Sequence, residues 1–166
     1  MFFQTRSAKT IVFAKTRQGF KSFYRKTKTL LLIVYIVICF AALIFDPFSA
    51  FIVGGVGAFF GDMLFYPAPM FVSLVTHGLQ AVAISLIAGK KNELAPLWKA
   101  IVAVAVGAVI MVTGYSLGRA FIYSTPEYAI IKLPFQILQA LVGAALGTVI
   151  LYATPIKRYS GFIPKD

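Results

Sequence analysis

The stretch Lys99–Tyr123, KAIVAVAVGAVIMVTGYSLGRAFIY, decides the class of this protein. No charged side chain interrupts it between Lys99 and Arg119. An apolar run of about 20 residues is long enough to cross the hydrocarbon core of a bilayer as a helix. A charge inside such a span is costly, so Arg119 nominates a cavity or a partner. Tyr115 lies one helical turn earlier, on the same face.

Four further segments, 29–45, 49–65, 69–89 and 130–153, have the same character. Pro47, Pro67, Pro69, Pro96, Pro126 and Pro155 punctuate their boundaries, as residues that break the helical ladder should. Pro134 is placed in the first turns of the last segment, where its missing N–H costs little. The 166-residue chain is 60% hydrophobic and 13% charged, against roughly 25% charged residues in a soluble domain. These features predict an all-α polytopic membrane protein, a compact bundle of five to six transmembrane or re-entrant helices. Three parts are expected: a basic amphipathic cytoplasmic tail (1–28), the membrane bundle (29–155) and a short basic cytoplasmic C-terminal tail (156–166).

Sixteen Lys and Arg oppose five acids, a net charge of +11. Half of those cations lie before Thr29, unaccompanied by any acid and interleaved with Phe2, Phe3, Phe13, Phe20, Phe23 and Tyr24. The pattern reads as a segment attracted to anionic lipid and kept inside by its charge. A nucleic-acid arm or an organellar targeting segment shares the composition, and the bland anchor is preferred to either.

Charge counting also addresses topology. Lys90, Lys91 and Lys99 form one loop cluster, and Lys157, Arg158 and Lys165 another near the C-terminus. The positive-inside rule places both with the tail in the cytoplasm, which five simple crossings would not do. The expectation is therefore that 49–65 enters and leaves on the outer side, its backbone opened by Gly54, Gly55, Gly57 and Gly61. A plain crossing that breaks the charge rule is the alternative.

In the re-entrant arrangement Asp46, Asp62 and Tyr66 share the outer side with His77, Tyr115, Arg119, Lys132, Gln136 and Gln139. The inner halves are mostly Ala, Gly, Val, Ile and Leu, a packed plug. A channel would carry polar lining from end to end, so the pattern suits an outward-facing ligand pocket. The candidate substrate-binding residues are Asp62, Tyr66, His77, Tyr115, Arg119, Lys132, Gln136 and Gln139. Plainer roles compete for several. Arg119 and Lys132 can snorkel to headgroups, His77 can bond between helices, and Tyr123 and Tyr128 suit the membrane interface. Asp62 can pair with Arg119 or His77 instead of a ligand.

Gly57 and Gly61, Gly114 and Gly118, Gly143 and Gly147, and Ala103 and Gly107 are each one turn apart and predict close helix contacts. Catalysis has little support. One histidine and one cysteine build no usual metal site, and the chain shows neither a nucleophile–base pair nor a phosphate loop. No cofactor is called for, and the chain does not read as an enzyme.

Gly54-Gly-Val-Gly-Ala-Phe-Phe-Gly-Asp62, then Tyr66-Pro-Ala-Pro-Met-Phe71, then Thr76-His-Gly-Leu79 resemble the substrate-binding S components of energy-coupling factor (ECF) vitamin importers. Gly114-Tyr115 and the run Leu133-Pro-Phe-Gln-Ile-Leu-Gln-Ala-Leu-Val-Gly143 are similar to the last two helices of that family. The resemblance covers roughly residues 50–155. It implies a multi-pass subunit of a prokaryotic cell membrane, with both termini cytoplasmic, that captures a vitamin or related small metabolite outside. It also implies docking on a transmembrane coupling subunit driven by two cytoplasmic ATPases. The chain departs from the family in several places. The space before Gly54 is short for a second helix, and Leu30 to Ile38 is bulky where relatives carry an Ala-x-x-x-Ala docking face. His77 stands where Lys is common, and Arg119 and Lys132 align with acidic positions of some relatives. The more basic pocket predicts a ligand carrying a carboxylate or phosphate. The competing expectation is a non-transporting membrane protein whose basic tail recruits anionic lipid or a partner.

Overall fold

The computed structural model describes residues 32–89 and 94–154. They form five helices: α1 (Leu32–Ile44), α2 (Pro47–Phe65), α3 (Met70–Ala88), α4 (Leu97–Tyr123) and α5 (Pro126–Ala153). Helices α2 to α5 are each long and apolar enough to cross a membrane, with 19, 19, 27 and 28 residues. The basic tail, Lys90, Lys91 and the residues after Thr154 lie outside the described residues.

Local chemistry accounts for the boundaries. Asp46 caps α2, its carboxylate accepting from the N–H groups of Phe48 (2.9 Å) and Ser49 (3.0 Å), with Pro47 in the first turn. Hydrogen bonds from Ser49 and from the backbone hold this exposed carboxyl below the usual carboxylate range. Thr125 and Pro126 repeat the device on α5, where Thr125 Oγ1 accepts from the Tyr128 N–H at 3.3 Å. Gly89, at φ +61°, ends α3 in a left-handed conformation that only glycine adopts cheaply. The early start of α5 corrects the placement of Pro134. It is interior to the helix, two turns from the cap, and Ile130 loses an amide donor.

The connections define two ends. Ser85 Oγ, in the last turn of α3, donates to the Phe45 carbonyl at 2.6 Å, so the α1–α2 turn sits beside the α3–α4 connection. Tyr152 OH donates to the Ala95 carbonyl and brings the end of α5 to the same place. Tyr66–Pro69 and Ser124–Thr125 form the opposite end. Helix α2 therefore runs from one end of the bundle to the other, unbroken apart from a π-turn at Ile52–Val56. This overturns the re-entrant arrangement: Asp46 lies at the opposite end from Asp62 and Tyr66. A π-turn absorbs an extra residue without giving up the backbone ladder, so the glycines did not need to break the helix. The expectation that both tails lie on one side of the membrane was built on that re-entry and loses its support.

Small residues set the packing. The Tyr35 ring lies against Gly143, and Cys39 against Gly147, which seats α1 on α5. A Cβ on Gly107 would meet Ile84 at 2.5 Å, one on Gly114 would meet Thr76 at 2.6 Å, and one on Gly118 would meet Val72 at 2.5 Å. These contacts join α3 and α4. Three of the four expected small-residue pairs are thus contact faces. Gly57 and Gly61 are not, because a Cβ on either would have nothing within 4 Å. The close approach of α2 to α3 is made by their neighbours. A Cβ on Gly55 would stand 2.8 Å from the Leu74 carbonyl oxygen and 3.0 Å from Gly78 Cα.

Candidate functional site

Polar side chains gather toward the Tyr66–Pro69 end, in two bonded groups. The first starts at Asp62, on the last turn of α2, only 8% exposed. Ser73 Oγ on α3 donates to Asp62 Oδ2. A serine hydroxyl has a single proton to give, so Tyr115 OH on α4 donates to Ser73 Oγ in turn. The His77 ring meets that of Tyr115 edge-on, with centroids 5.3 Å apart. Its Nδ1 donates to Gln80 Oε1 at 2.8 Å, which leaves Nε2 as an acceptor in the neutral ring. Gln80 Nε2 reaches Cys39 Sγ on α1 at 3.9 Å, and the Tyr35 ring lies 6.0 Å from His77. Buried polar groups therefore tie α1 to α4 across the bundle.

The second group joins α4 to α5. Arg119 Nη1 donates to Gln136 Oε1 at 2.8 Å. Gln136 Nε2 donates to the carbonyls of Val112 (2.9 Å) and Met111 (3.3 Å). The guanidinium carbon lies 6.0 Å from the Tyr123 ring centroid. Arg119 also opens the π-turn Arg119–Tyr123 that ends α4, a feature frequent at functional sites. The two groups share a field, because Asp62 and Arg119 are both electrostatic neighbours of Tyr115 and of Tyr123.

Of the expected residues, Asp62, His77 and Tyr115 fall in the first group and Arg119 and Gln136 in the second. Asp62 meets Ser73 rather than Arg119 or His77. Gln136 is fully engaged: its oxygen holds Arg119 and its nitrogen holds the α4 backbone, so it acts as a clamp. Lys132 is half-buried with its ammonium 5.2 Å from the Tyr128 ring centroid, and Gln139 is half-buried one turn beyond Gln136. Tyr66 is 56% exposed in the connection and stands apart from the buried hydrogen bonds, though Tyr123 lies in its field.

Sequence reasoning missed Ser73, which bridges two helices, and Gln80, which is fully buried. The signal was available. Ser73, His77 and Gln80 recur at helical spacing on one face of α3, a polar stripe in an apolar span. Tyr123, read as an interfacial aromatic, ends α4 with its ring beside Arg119.

Chemically, the region offers a carboxylate acceptor, two hydroxyls and a guanidinium in an apolar surround, where each is worth more than in water. Among the described residues no three His, Cys, Asp or Glu side chains could hold a metal ion. The chain is similar to a protein of Pyrococcus woesei described as an uncharacterized protein in gap 3' region. The two are 27% identical over 113 residues, 68% of this chain and 73% of the other. Residues 11–157 match the ECF-type riboflavin transporter S component, and the chain belongs to that family of membrane substrate-binding transporter subunits.

Proposed function

We propose that this protein captures a vitamin or related small metabolite from outside a prokaryotic cell and delivers it to an ECF transport complex. The observation that carries the reading is the convergence of Asp62, Ser73, His77, Tyr115, Arg119 and Gln136 at one end of the bundle. The opposite end is packed with Ala42, Leu43, Ala88, Ala100, Ala103 and Leu151. Buried polar groups in a membrane bundle are expensive and face a cavity or partner, whereas a channel would continue them through both halves. On this reading the polar end faces outward, which the cations Lys90, Lys91, Lys99, Lys157 and Arg158 next to segments at the other end favour and the eight before Thr29, which precede α1, oppose. Before Thr29 the basic residues add attraction for an anionic membrane surface.

Family membership supports partners of the usual ECF kind, a transmembrane coupling subunit and two cytoplasmic ATPases, and names riboflavin as the first ligand to test. The test is a fluorescence titration of riboflavin with the purified protein, paired with affinity isolation from its own host membranes. Saturable 1:1 quenching and co-isolation of the coupling subunit and ATPases are expected. A folded protein that neither quenches riboflavin nor brings down those subunits would overturn the reading.

A further inference from the structure

Arg119 is a half-buried cation at the end of α4. Among the described residues its partners are the Gln136 amide and Tyr123, and it forms no ion pair. The two acids described on its end of the bundle are otherwise engaged: Asp62 by Ser73, and Glu127 by Thr125 beside the cap of α5. A guanidinium has five N–H donors in a planar fork, and the bond to Gln136 is made through a single nitrogen. The head is also held firmly. Gln136 is 5% exposed and anchored on the Met111 and Val112 carbonyls, so it presents its oxygen to Arg119 from a fixed position.

Asp62 shares the field of this cation without pairing with it, the guanidinium keeps donors to spare, and the geometry points to an anion engaging them. We propose that Arg119 receives a carboxylate or phosphate group, with Gln136 as the positioning residue that aims it. This rests on the substrate-binding reading above and narrows it, since a neutral vitamin would leave the spare donors of Arg119 without an anion. A planar fork suits either anion through two parallel N–H bonds. A soluble ligand and a lipid headgroup share that phosphate chemistry, so the experiment separates the two.

Riboflavin and riboflavin 5'-phosphate differ in the anionic group and serve as probes. Both are titrated into the full chain, the Arg119→Gln and Arg119→Lys variants, and Gln136→Glu. The wild type is expected to prefer the phosphorylated form by about tenfold or more, the usual scale for a charge-assisted bond. Arg119→Gln abolishes the preference, and Arg119→Lys keeps part of it. Gln136→Glu supplies an internal carboxylate and removes the preference with Arg119 still present, which a merely structural role would not do. Native mass spectrometry from phosphatidylglycerol and phosphatidylcholine nanodiscs tests the lipid source. Phosphatidylglycerol retained by the wild type, lost in Arg119→Gln, and displaced by neither flavin would assign the anion to a headgroup. Equal binding of both flavins by all four proteins, with no lipid dependent on Arg119, overturns the anion subsite and leaves the binding subunit standing. Binding of neither flavin, with no adduct dependent on Arg119, overturns both.

Discussion

The two ends of the bundle use hydrogen bonds for different purposes. At the end near Phe45 and Ala95, the side-chain bonds run to backbone groups: Ser85 to the Phe45 carbonyl, Tyr152 to that of Ala95, Thr154 to that of Ile150, and Asp46 to the N–H groups of Phe48 and Ser49. Such bonds close connections and cap a core of alanine, leucine and isoleucine. At the other end the bonds run between side chains on different helices, from Asp62 through Ser73 to Tyr115, and from Arg119 to Gln136. Asp62 and Arg119 among them are charged residues. Interhelical bonds in membranes contribute only about 0.6 kcal/mol each on average, so stability alone is a weak reason to keep charged groups there. On the proposed function, polar residues at one end hold the fold and those at the other meet a ligand.

Substitutions that separate fold from site test this contrast, the strongest acting on packing. Gly55→Leu drives a side chain into the backbone of α3 and is expected to cost about 3 kcal/mol, seen as loss of the folded, monodisperse protein or a fall of roughly 10 °C in melting temperature. Gly57→Leu, two residues later on the same helix, meets open space and should change stability by less than about 0.5 kcal/mol. Equal damage from both would mean that α2 packs through a different face. On the site side, Asp62→Asn keeps the shape and removes the charge. Ligand affinity should fall about tenfold or more with the melting temperature nearly unchanged, and a large stability loss with intact binding would assign Asp62 to the fold.

Ser85→Ala should show the reverse, costing about 1 kcal/mol through the orphaned bond to Phe45 while ligand affinity stays at the wild-type value. A smaller loss than that of Ser85→Ala belongs to Asp46→Ala, which removes the α2 cap at a cost of about 0.5 kcal/mol given its exposure. Its folded pKa is depressed, so the cap contributes fully above the unfolded value of about 4 and is lost as pH falls from there through the lower folded value. Melting curves of the variant and the wild type should therefore converge in acid.

The helices were largely legible because proline and glycine mark their ends: Pro47, Pro96, Pro126 and Gly89 all stand at observed boundaries. The path of α2 was misjudged because charge counting constrains loops, whereas contacts such as Ser85 with Phe45 decide which end a turn occupies. Helical spacing treats Gly54, Gly55, Gly57 and Gly61 alike, and only the position of α3 shows which of them pack. Large or charged site residues stood out against an apolar background. Ser73 did not, because a serine in a membrane helix is common and bonds locally as often as across helices. Gln136 was found, but its role as the clamp on Arg119 required knowing which carbonyls lay opposite.

The most direct test of the central claim is native mass spectrometry of the detergent-purified protein from its own host membrane, beside Arg119→Ala and Gly57→Leu. The account predicts a small-molecule adduct on the wild type and on Gly57→Leu that is lost from a folded Arg119→Ala. A protein free of any small molecule, or an adduct that survives Arg119→Ala undiminished, would contradict it.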